Sequence, residues 1–402
     1  MMKTILRLTF LIGLLSGSAG ISFGQVTTGT PPFGSFATGP AGTVNMGNLN
    51  VHIDIPVLHK AGRGAPFNYD ITYDTSFWTR QYGPWSPVAP PYSSFGWFFP
   101  VQGSLEATIS SQNFCYTFYP GYGYIPSGEV LIDEGYVYYD PLGTPHPLPG
   151  VLTYVAGTCG SGASFSGSGP ASDGSGYLFG IDPSLGVAAL LAKDGQVIRW
   201  GQSGGSYVQP VATDNNGNEI TVDTSDSIFT DTLGDTALTL GGSGTPTSSR
   251  TFTYTAPSGA SAQYTLVYSS YTIKTNFGCT GVSEYGPTAQ NLPSELDLPD
   301  GSKYVFTYES TPGYTGDYTG RLASIKLPTG GTIYYTYSGP NDGIECTDGS
   351  TSGLTRQTPD GTWTYSRTLN GGAASTTTIT DPSSNQTLID FVGIYPTESQ
   401  VY

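Results

Sequence analysis

The sequence predicts an all-β protein built from β-hairpins, on three observations. Residues typical of turns are abundant, with 56 Gly and 30 Pro among 402 residues. Apolar and polar residues alternate in many short segments, which is the pattern of half-buried strands. No long segment has helical periodicity, and the apolar segment 187–192 is too short for a stable helix. Aromatic residues make up 13% of the chain, enough to form a core although only 11% of residues are charged.

The N-terminus has the features of a secretory signal peptide, expected to span residues 1–24. Lys3 and Arg7 form a basic region, residues 8–15 are apolar, and small residues precede a cleavage site before Gln25. The apolar segment is shorter than the roughly 20 residues that a membrane-spanning helix needs. We therefore expect a secreted or cell-surface protein, periplasmic or extracellular, with no membrane span.

Three regions are expected after the signal peptide. Residues 25–156 are predicted to form an N-terminal β region with aromatic and Pro-rich loops. Residues 157–176 are dominated by Gly and Ser, which is typical of a linker or loop. Residues 177–402 carry recurring hairpin signals and are predicted to form repeats.

The first predicted hairpin begins near residue 49. Apolar residues at alternate positions of segment 49–55 face one side, while Asn50, His52 and Asp54 are expected to point outward. A Gly-rich turn at 62–64 leads into a second alternating segment. This pattern predicts a half-buried pair of antiparallel strands.

Residues 78–100 are crowded with Pro and aromatic residues. Rings on exposed loops could stack on sugars, and the candidates are Trp78, Trp85, Tyr92 and Trp97. The alternative is that these rings close one end of a β core, which we favour because aromatic side chains dominate core burial. The Tyr-rich segment 114–139 allows the same two interpretations, sugar stacking or core burial. The alternation at residues 136–139 is more typical of a strand than of a sugar-binding platform.

Four cysteines in a secreted chain are compatible with two disulfides and allow three pairings. Chain order suggests Cys115 with Cys159 and Cys279 with Cys346. Metal binding is the weaker interpretation, because no two cysteines are close in sequence and the chain has only three His. We therefore predict no metal ligand and no cofactor.

An internal repeat is the strongest pattern in the chain. Residues 296–308 align without a gap on residues 325–337. In each copy Pro begins a turn, and Gly adopts the positive φ with which the turn ends. Each copy is therefore predicted to form a strand, a turn and a second strand. A single hairpin cannot bury its aromatic face, so the copies are expected to pack side by side. Further turn signals are found at 194–195, 214–220, 257–259, 359–361 and 381–382.

These repeats resemble the Rhs or YD-repeat family, which includes toxin shells and teneurins. Segment 320–337 is similar to the family unit, and segments 214–220 and 47–56 resemble its turn and the region before its repeats. The resemblance implies a long β-sheet that wraps into a partial shell or solenoid. The usual Tyr-Asp pair is replaced by Tyr-Glu at 308–309 and Tyr-Ser at 337–338, and the core motif that precedes a toxin is missing. The resemblance therefore implies the repeat fold without toxin or autoproteolytic chemistry.

The last residues lie in a segment with the pattern of a strand, and no capping element is evident. Terminal repeats usually need a cap. We expect either a partner to cover this strand or further repeats to complete the shell, as in a truncated longer protein.

Catalytic signals are weak, and no catalytic residue is predicted. Segment 201–205 fits the Gly-x-Ser-x-Gly pattern, but strand-like residues on both sides favour a hairpin turn over a nucleophile elbow. His52 and His146 have no recognisable nucleophile beside them. Segment 214–218 alternates Asp and Asn like a calcium loop, but the positions that follow do not fit one. A glycosidase needs two carboxylates at a set separation, and the candidates are Asp133, Glu134, Asp231, Asp235, Glu284 and Glu295.

Composition and patterning favour binding over catalysis. The formal net charge of −16 disfavours nucleic acids and anionic membranes as partners. The first hypothesis is a non-enzymatic repeat scaffold that encloses or binds a protein or glycan partner at the cell exterior. The alternatives are a carbohydrate-binding surface adhesin and a secreted glycoside hydrolase.

Overall fold

The computed structural model describes residues 28–39, 42–80, 83–88, 93–99, 103–157, 162–203 and 206–402. For residues 112–115, 156–157, 202–203 and 206–209 it describes the backbone alone. Within these ranges the protein is all-β, apart from the short 3₁₀ turn Pro340–Gly343. The predicted fold class is confirmed at this level.

The N-terminal sheet is antiparallel and has six strands among the described residues, in the order β1-β2-β3-β4-β8-β7. A separate two-stranded ribbon, β5-β6, lies within the same part of the chain. The strands are β1 Phe36–Gly39, β2 Gly42–Asn45, β3 Val51–Lys60, β4 Phe67–Asp74, β5 Trp78–Thr79, β6 Ser86–Pro87, β7 Ser93–Ser94 and β8 Trp97–Phe98. The predicted first hairpin is the pair β3–β4.

A second antiparallel sheet follows, with five strands in the described ranges. Strand β10 lies at its centre and pairs with β9, β11 and β12, while β13 pairs with β12. The strands are β9 Ser104–Tyr119, β10 Gly123–Tyr139, β11 Pro145–Pro147, β12 Val151–Gly157 and β13 Gly162–Ser166.

The third sheet is the largest, with 19 strands among the described residues, each paired with the next along the chain. Its strands are β14 Gly169–Pro170, β15 Leu178–Asp182, β16 Val187–Leu191, β17 Val197–Ser203, β18 Ser206–Thr213, β19 Glu219–Val222, β20 Ile228–Thr230, β21 Thr236–Gly241, β22 Arg250–Thr255, β23 Ser261–Ile273, β24 Thr288–Asp297, β25 Lys303–Ser310, β26 Asp317–Lys326, β27 Thr332–Tyr337, β28 Gly353–Thr358, β29 Gly361–Gly371, β30 Ala374–Thr380, β31 Gln386–Val392 and β32 Tyr395–Val401. Residues 187–191 of the short apolar segment 187–192 form strand β16, not a helix.

The Gly/Ser-rich segment 157–176 is not a free linker where it is described. Strand β13 pairs with β12 along its length, and β14 begins the large sheet. Ala163 and Phe165 pack against the hydrophobic core, which holds this segment in the second sheet. Within the segment predicted as a linker or loop, residues 162–166 and 169–170 therefore belong to strands.

The two copies of the internal repeat lie side by side and share one turn geometry. In the first copy, the Leu298 N–H donates to the Ser302 carbonyl at 2.8 Å and the Gly301 N–H to the Leu298 carbonyl at 3.0 Å. In the second copy, the bonds from Leu327 to Gly331 and from Gly330 to Leu327 are 2.8 and 2.9 Å. This is a type I turn followed by a left-handed residue, and glycine adopts that conformation without a steric cost.

The same pair of turn hydrogen bonds recurs through the chain. The other turns with this pattern start at Asp140, Ala192, Asp214, Asp231, Ala256 and Asp381. In all but the last, the left-handed position is a glycine, and in the last it is Ser384 with a φ of 68°. One local solution therefore joins many successive strands in the second and third sheets.

The N-terminal sheet packs its aromatic face against the large sheet. The Tyr73 hydroxyl donates to the Gly320 carbonyl and accepts from the Leu322 N–H, both at 3.0 Å. The Trp97 ring lies 4.7 Å from Phe306, centroid to centroid, and its Nε1 donates to the Tyr308 hydroxyl at 2.9 Å. Both partners belong to the internal repeat, so its aromatic face is buried as predicted.

Contacts between these sheets extend along much of the large sheet. Phe67 contacts Phe229 in β20, and Tyr69 contacts Phe252 in β22. Toward the other end, the Thr377 hydroxyl of β30 donates to the Met46 carbonyl at 2.7 Å. Strands from β20 to β30 therefore contact one N-terminal segment, and the core lies between them.

A disulfide joins Cys279 and Cys346, as chain order suggested. It links the loop after β23 to the loop after β27, with 5.6 Å between the Cα atoms. Cys159 and the side chain of Cys115 lie outside the described residues, so that pairing stays a prediction.

Removing the disulfide is expected to destabilise the fold. The cross-link closes a loop with a sequence separation of 67 residues, which restricts the unfolded chain. The variant Cys279→Ala/Cys346→Ala should lose about 2–4 kcal/mol in the free energy of unfolding, measured by denaturant titration. Wild type with reductant should lose a similar amount, and an unchanged unfolding midpoint in both cases would contradict the assignment.

Removing the Tyr73 hydroxyl is expected to weaken the contact between the two sheets. Tyr73→Phe leaves the buried Gly320 carbonyl and Leu322 N–H without this partner, which should cost about 1–3 kcal/mol in the free energy of unfolding. The matched control is Tyr334→Phe, whose ring is half exposed and whose change should be within about 0.5 kcal/mol. Equal effects of the two substitutions would argue against the role given to Tyr73.

Candidate functional site

The tryptophans predicted as sugar-stacking residues are buried. Trp78 and Trp85 are 1% exposed and Trp97 is 0% exposed, while Tyr92 lies outside the described residues. The Trp78 indole donates to the Thr319 carbonyl at 3.0 Å, and the Trp85 ring packs edge-on against Phe277. The stacking role predicted for these three rings is therefore wrong, because both faces of each ring contact protein.

His52 is buried as well, which corrects the expectation that it points outward. The start of strand β3 is covered on both faces, since Val51, His52 and Ile53 are all buried, and the His52 Nδ1 lies 3.1 Å from the Asp74 carboxylate. Asp74 also accepts hydrogen bonds from the Asn50 amide and the Gly29 N–H. Burial alone would lower the pKa of His52, but the charge and hydrogen bond of Asp74 raise it overall. This cluster ties the segment before β1 to the N-terminal sheet.

His146 connects two carboxylates. Its Nδ1 lies 2.6 Å from Asp173 and its Nε2 lies 3.4 Å from Asp140. The ring also stacks on Tyr138 and packs edge-on against Tyr177. Burial by itself would lower the pKa of His146, but the two aspartates outweigh it, so the pKa is raised. The imidazolium thus links the end of β10 to the segment that precedes β15.

Three of the six carboxylates considered for glycoside hydrolysis have structural partners. Asp231 pairs with Lys60 at 2.5 Å, Glu295 pairs with Lys303 at 2.7 Å, and the Glu284 carboxylate accepts from the Gly278 N–H at 2.8 Å. Burial raises the pKa of Asp133, which lies within the strand pairing of β10. These contacts explain the carboxylates by turns, ion pairs and burial.

The two sequence motifs with possible chemistry are turns. Ser203 ends β17 and pairs with Ser206 of β18, so the Gly-x-Ser-x-Gly segment joins two antiparallel strands and no helix follows it. At the calcium-like segment, the Asp214 carboxylate accepts from the N–H groups of Asn216 and Asn218 and from the Asn218 amide. The Asn218 side-chain amide and these backbone groups hold the pKa of Asp214 below its usual value.

Strands β9 and β10 form a long hairpin that carries the most exposed aromatic cluster. They pair from Ser104 with Tyr139 at the base to Tyr119 with Gly123 at the turn. Strand β12 pairs with β10 only from Gly128 to Asp133. Among the described residues, the end of the hairpin therefore continues beyond its neighbour as a two-stranded ribbon, and we call residues 116–127 the aromatic tip.

The aromatic tip exposes large apolar side chains. Tyr122 is 84% exposed, Tyr124 74%, Phe118 58% and Tyr116 54%. Phe118 pairs with Tyr124, and Tyr116 pairs with Pro126, so these four side chains share one face of the ribbon. No charged residue or histidine occurs between Glu106 and Glu129. Exposed apolar patches of this kind mark interaction sites.

The base of the hairpin is anchored in the core. Tyr136 packs against Phe179 of β15 with 5.1 Å between ring centroids, and Tyr138 packs against Trp200 of β17 at 5.6 Å. His146 adds its two ion pairs beside this contact. The hairpin is therefore fixed at its base while its aromatic tip is exposed, which makes the tip the candidate binding site.

Sequence reasoning did not single out this site. Alternation correctly indicated a strand at residues 136–139, where Tyr136 and Tyr138 are buried. The sequence did contain one signal of this site, the long segment without charged residues between Glu106 and Glu129. Exposed strands usually carry charges that prevent association, so an exposed strand without them suggests a binding surface. The alternation of apolar and polar residues does not indicate which strands remain uncovered in the folded protein.

Comparisons with known proteins add little to this picture. No family model matches the chain. No curated protein matches it either. Among solved structures it is similar to a porin-like protein from Bacteroides uniformis, with 12% identity over 52% of this chain and 86% of that chain and a TM-score of 0.24. Similarity at this level carries no argument about function.

The described ranges contain no helix with the length and apolar character that crossing a membrane would require. They also contain no group of three or more His, Cys, Asp or Glu side chains placed to hold a metal ion.

Stability is expected to depend on pH through His146. Its folded pKa is raised, so its contribution is complete below the unfolded value of about 6.5 and is lost as pH rises through the folded pKa. Wild type should therefore lose free energy of unfolding relative to His146→Gln as the pH rises above about 6.5, measured by denaturant titration. A difference that stays constant over this range, or grows with pH, would contradict the assignment. The variant Asp140→Asn/Asp173→Asn should remove the same pH dependence.

Proposed function

We propose that this chain is a secreted, non-enzymatic scaffold of the YD-repeat type that binds a partner at the cell exterior through its aromatic tip. The observation that carries the proposal is the aromatic tip itself: an uncharged and exposed cluster of rings, on a hairpin whose base is anchored in the core. A position outside the cytoplasm is supported by the signal-peptide pattern at residues 1–24.

The repeat interpretation is supported by the turns and by the strand order. One turn geometry recurs through the second and third sheets, and successive strands of the large sheet pair in chain order. In a protein of this type, each repeat contacts its neighbours and the sheet grows along the chain. The wrapped sheet would then enclose the chain's own N-terminal sheet, consistent with contacts from β20 to β30.

The structural contacts of the carboxylates and histidines favour a binding role over catalysis. Asp231 and Glu295 are engaged in ion pairs, and the two histidines with raised pKa, His52 and His146, are held by aspartates inside the fold. A glycoside hydrolase would need two carboxylates facing each other across a cleft. The partner-binding hypothesis needs only an accessible surface, which the aromatic tip provides.

Replacing the rings of the aromatic tip is expected to abolish binding to cells. The variant Tyr116→Ser/Phe118→Ser/Tyr122→Ser/Tyr124→Ser removes most of the exposed apolar area, and interface rings are frequent hot spots. Fluorescent protein retained on intact cells of the producing strain, measured by flow cytometry, should need at least about tenfold more variant than wild type for half-saturation.

The matched control changes exposed rings elsewhere. Tyr334→Ser/Tyr395→Ser alters two exposed side chains of the large sheet and should leave retention unchanged. Circular dichroism should be the same for all three proteins, since the aromatic tip lies outside the core. The proposal is overturned if wild type is not retained or if the variant with four substitutions is retained equally well.

A further inference from the structure

We infer that the aromatic tip binds a neutral polysaccharide chain. This inference rests on the proposed function and names the chemical class of its ligand. Three properties of the aromatic tip lead to it: the arrangement of its rings, the absence of charge, and its small area.

The rings form a strip along one face of the ribbon. Tyr116 and Phe118 are two residues apart on β9, a spacing of about 7 Å. Tyr124 lies opposite Phe118 on β10, with 5.3 Å between ring centroids and 60° between the ring planes. A pyranose ring has an apolar C–H face and a rim of hydroxyl groups, so it fits against a flat aromatic side chain. The hydroxyls of Tyr116 and Tyr124 supply hydrogen-bonding groups on the same face.

The charge distribution selects a neutral ligand. The aromatic tip has no Lys or Arg to pair with a carboxylate, sulfate or phosphate, and no Asp or Glu to pair with a cation. The formal net charge of −16 adds long-range repulsion against anionic polymers. Acidic polysaccharides, nucleic acids and anionic lipid surfaces are all disfavoured on these grounds.

The size of the aromatic tip argues against a folded protein as the ligand. The aromatic tip contains four residues of β9 and five of β10, so one face is about 17 Å long and, with its side chains, about 10 Å wide. A strip of this shape suits a narrow ligand better than the broad surface of a folded protein. A narrow, extended chain with a few rings in contact matches this area, and a polysaccharide supplies many equivalent contact points.

The inference is tested by affinity electrophoresis in native gels that contain one polymer each. The neutral polymers are hydroxyethyl cellulose, laminarin and mannan, and polygalacturonate is the anionic counterpart. At least one neutral polymer should retard wild type, and polygalacturonate should not. Tyr116→Ser/Phe118→Ser/Tyr124→Ser should weaken the binding at least about tenfold, while Tyr334→Ser/Tyr395→Ser should migrate like wild type.

The outcomes separate this inference from the proposed function. It is overturned if no neutral polymer retards wild type, if the variant with three substitutions is retarded as strongly, or if neutral phosphatidylcholine vesicles are bound instead in a flotation assay. If retention on cells still depends on the aromatic tip while none of the polymers binds, the ligand class is wrong and the proposed binding role stands. If retention on cells does not depend on the aromatic tip and no neutral polymer binds, both proposals are rejected.

Discussion

The contact between the N-terminal sheet and the large sheet is the constraint on which the rest of the structure depends. The repeat hairpins have an aromatic face that a single hairpin cannot bury, and the N-terminal sheet carries aromatic side chains of its own. The two surfaces cover each other. Trp97 packs against Phe306, and the Tyr73 hydroxyl is hydrogen bonded to the Gly320 carbonyl and the Leu322 N–H. The Tyr73 hydroxyl and the Trp97 indole make this contact specific, because each is hydrogen bonded to the large sheet where water is excluded.

This constraint explains where the aromatic residues go. Tryptophan and tyrosine have large apolar areas and one polar group each, so they suit an interior that also contains backbone carbonyls. The interior contains three such tryptophans, although they lie on loops and short strands: Trp78, Trp85 and Trp97. The aromatic tip differs because its ribbon continues beyond β12 and only two strands remain to share its faces.

Charged groups are few, and most of those described act locally. Asp214 and Asp381 cap turns by accepting backbone N–H bonds, and Arg321 is held by Glu309 beneath the Tyr337 ring. His146 acts over a longer range, since it joins the hairpin base to the start of the large sheet. Electrostatic interactions therefore hold turns and the base of the hairpin, and the Lys60–Asp231 ion pair adds one contact between the N-terminal sheet and the large sheet, whose main association is apolar burial.

The sequence by itself determined the all-β class and the repeated hairpins, because turns and alternation are local patterns. Chain order suggested the pairing of Cys279 with Cys346 among three possible pairings, and the structure decided it. The sequence also indicated that segment 114–139 contains a strand. Which faces are covered was decided only by the tertiary structure. Trp97 is inside because another sheet packs over it, His52 is inside beside Asp74, and Tyr122 and Tyr124 are outside because no sheet covers them. Burial depends on contacts between residues hundreds of positions apart, such as Tyr73 with Leu322, and local patterns carry no information about such contacts.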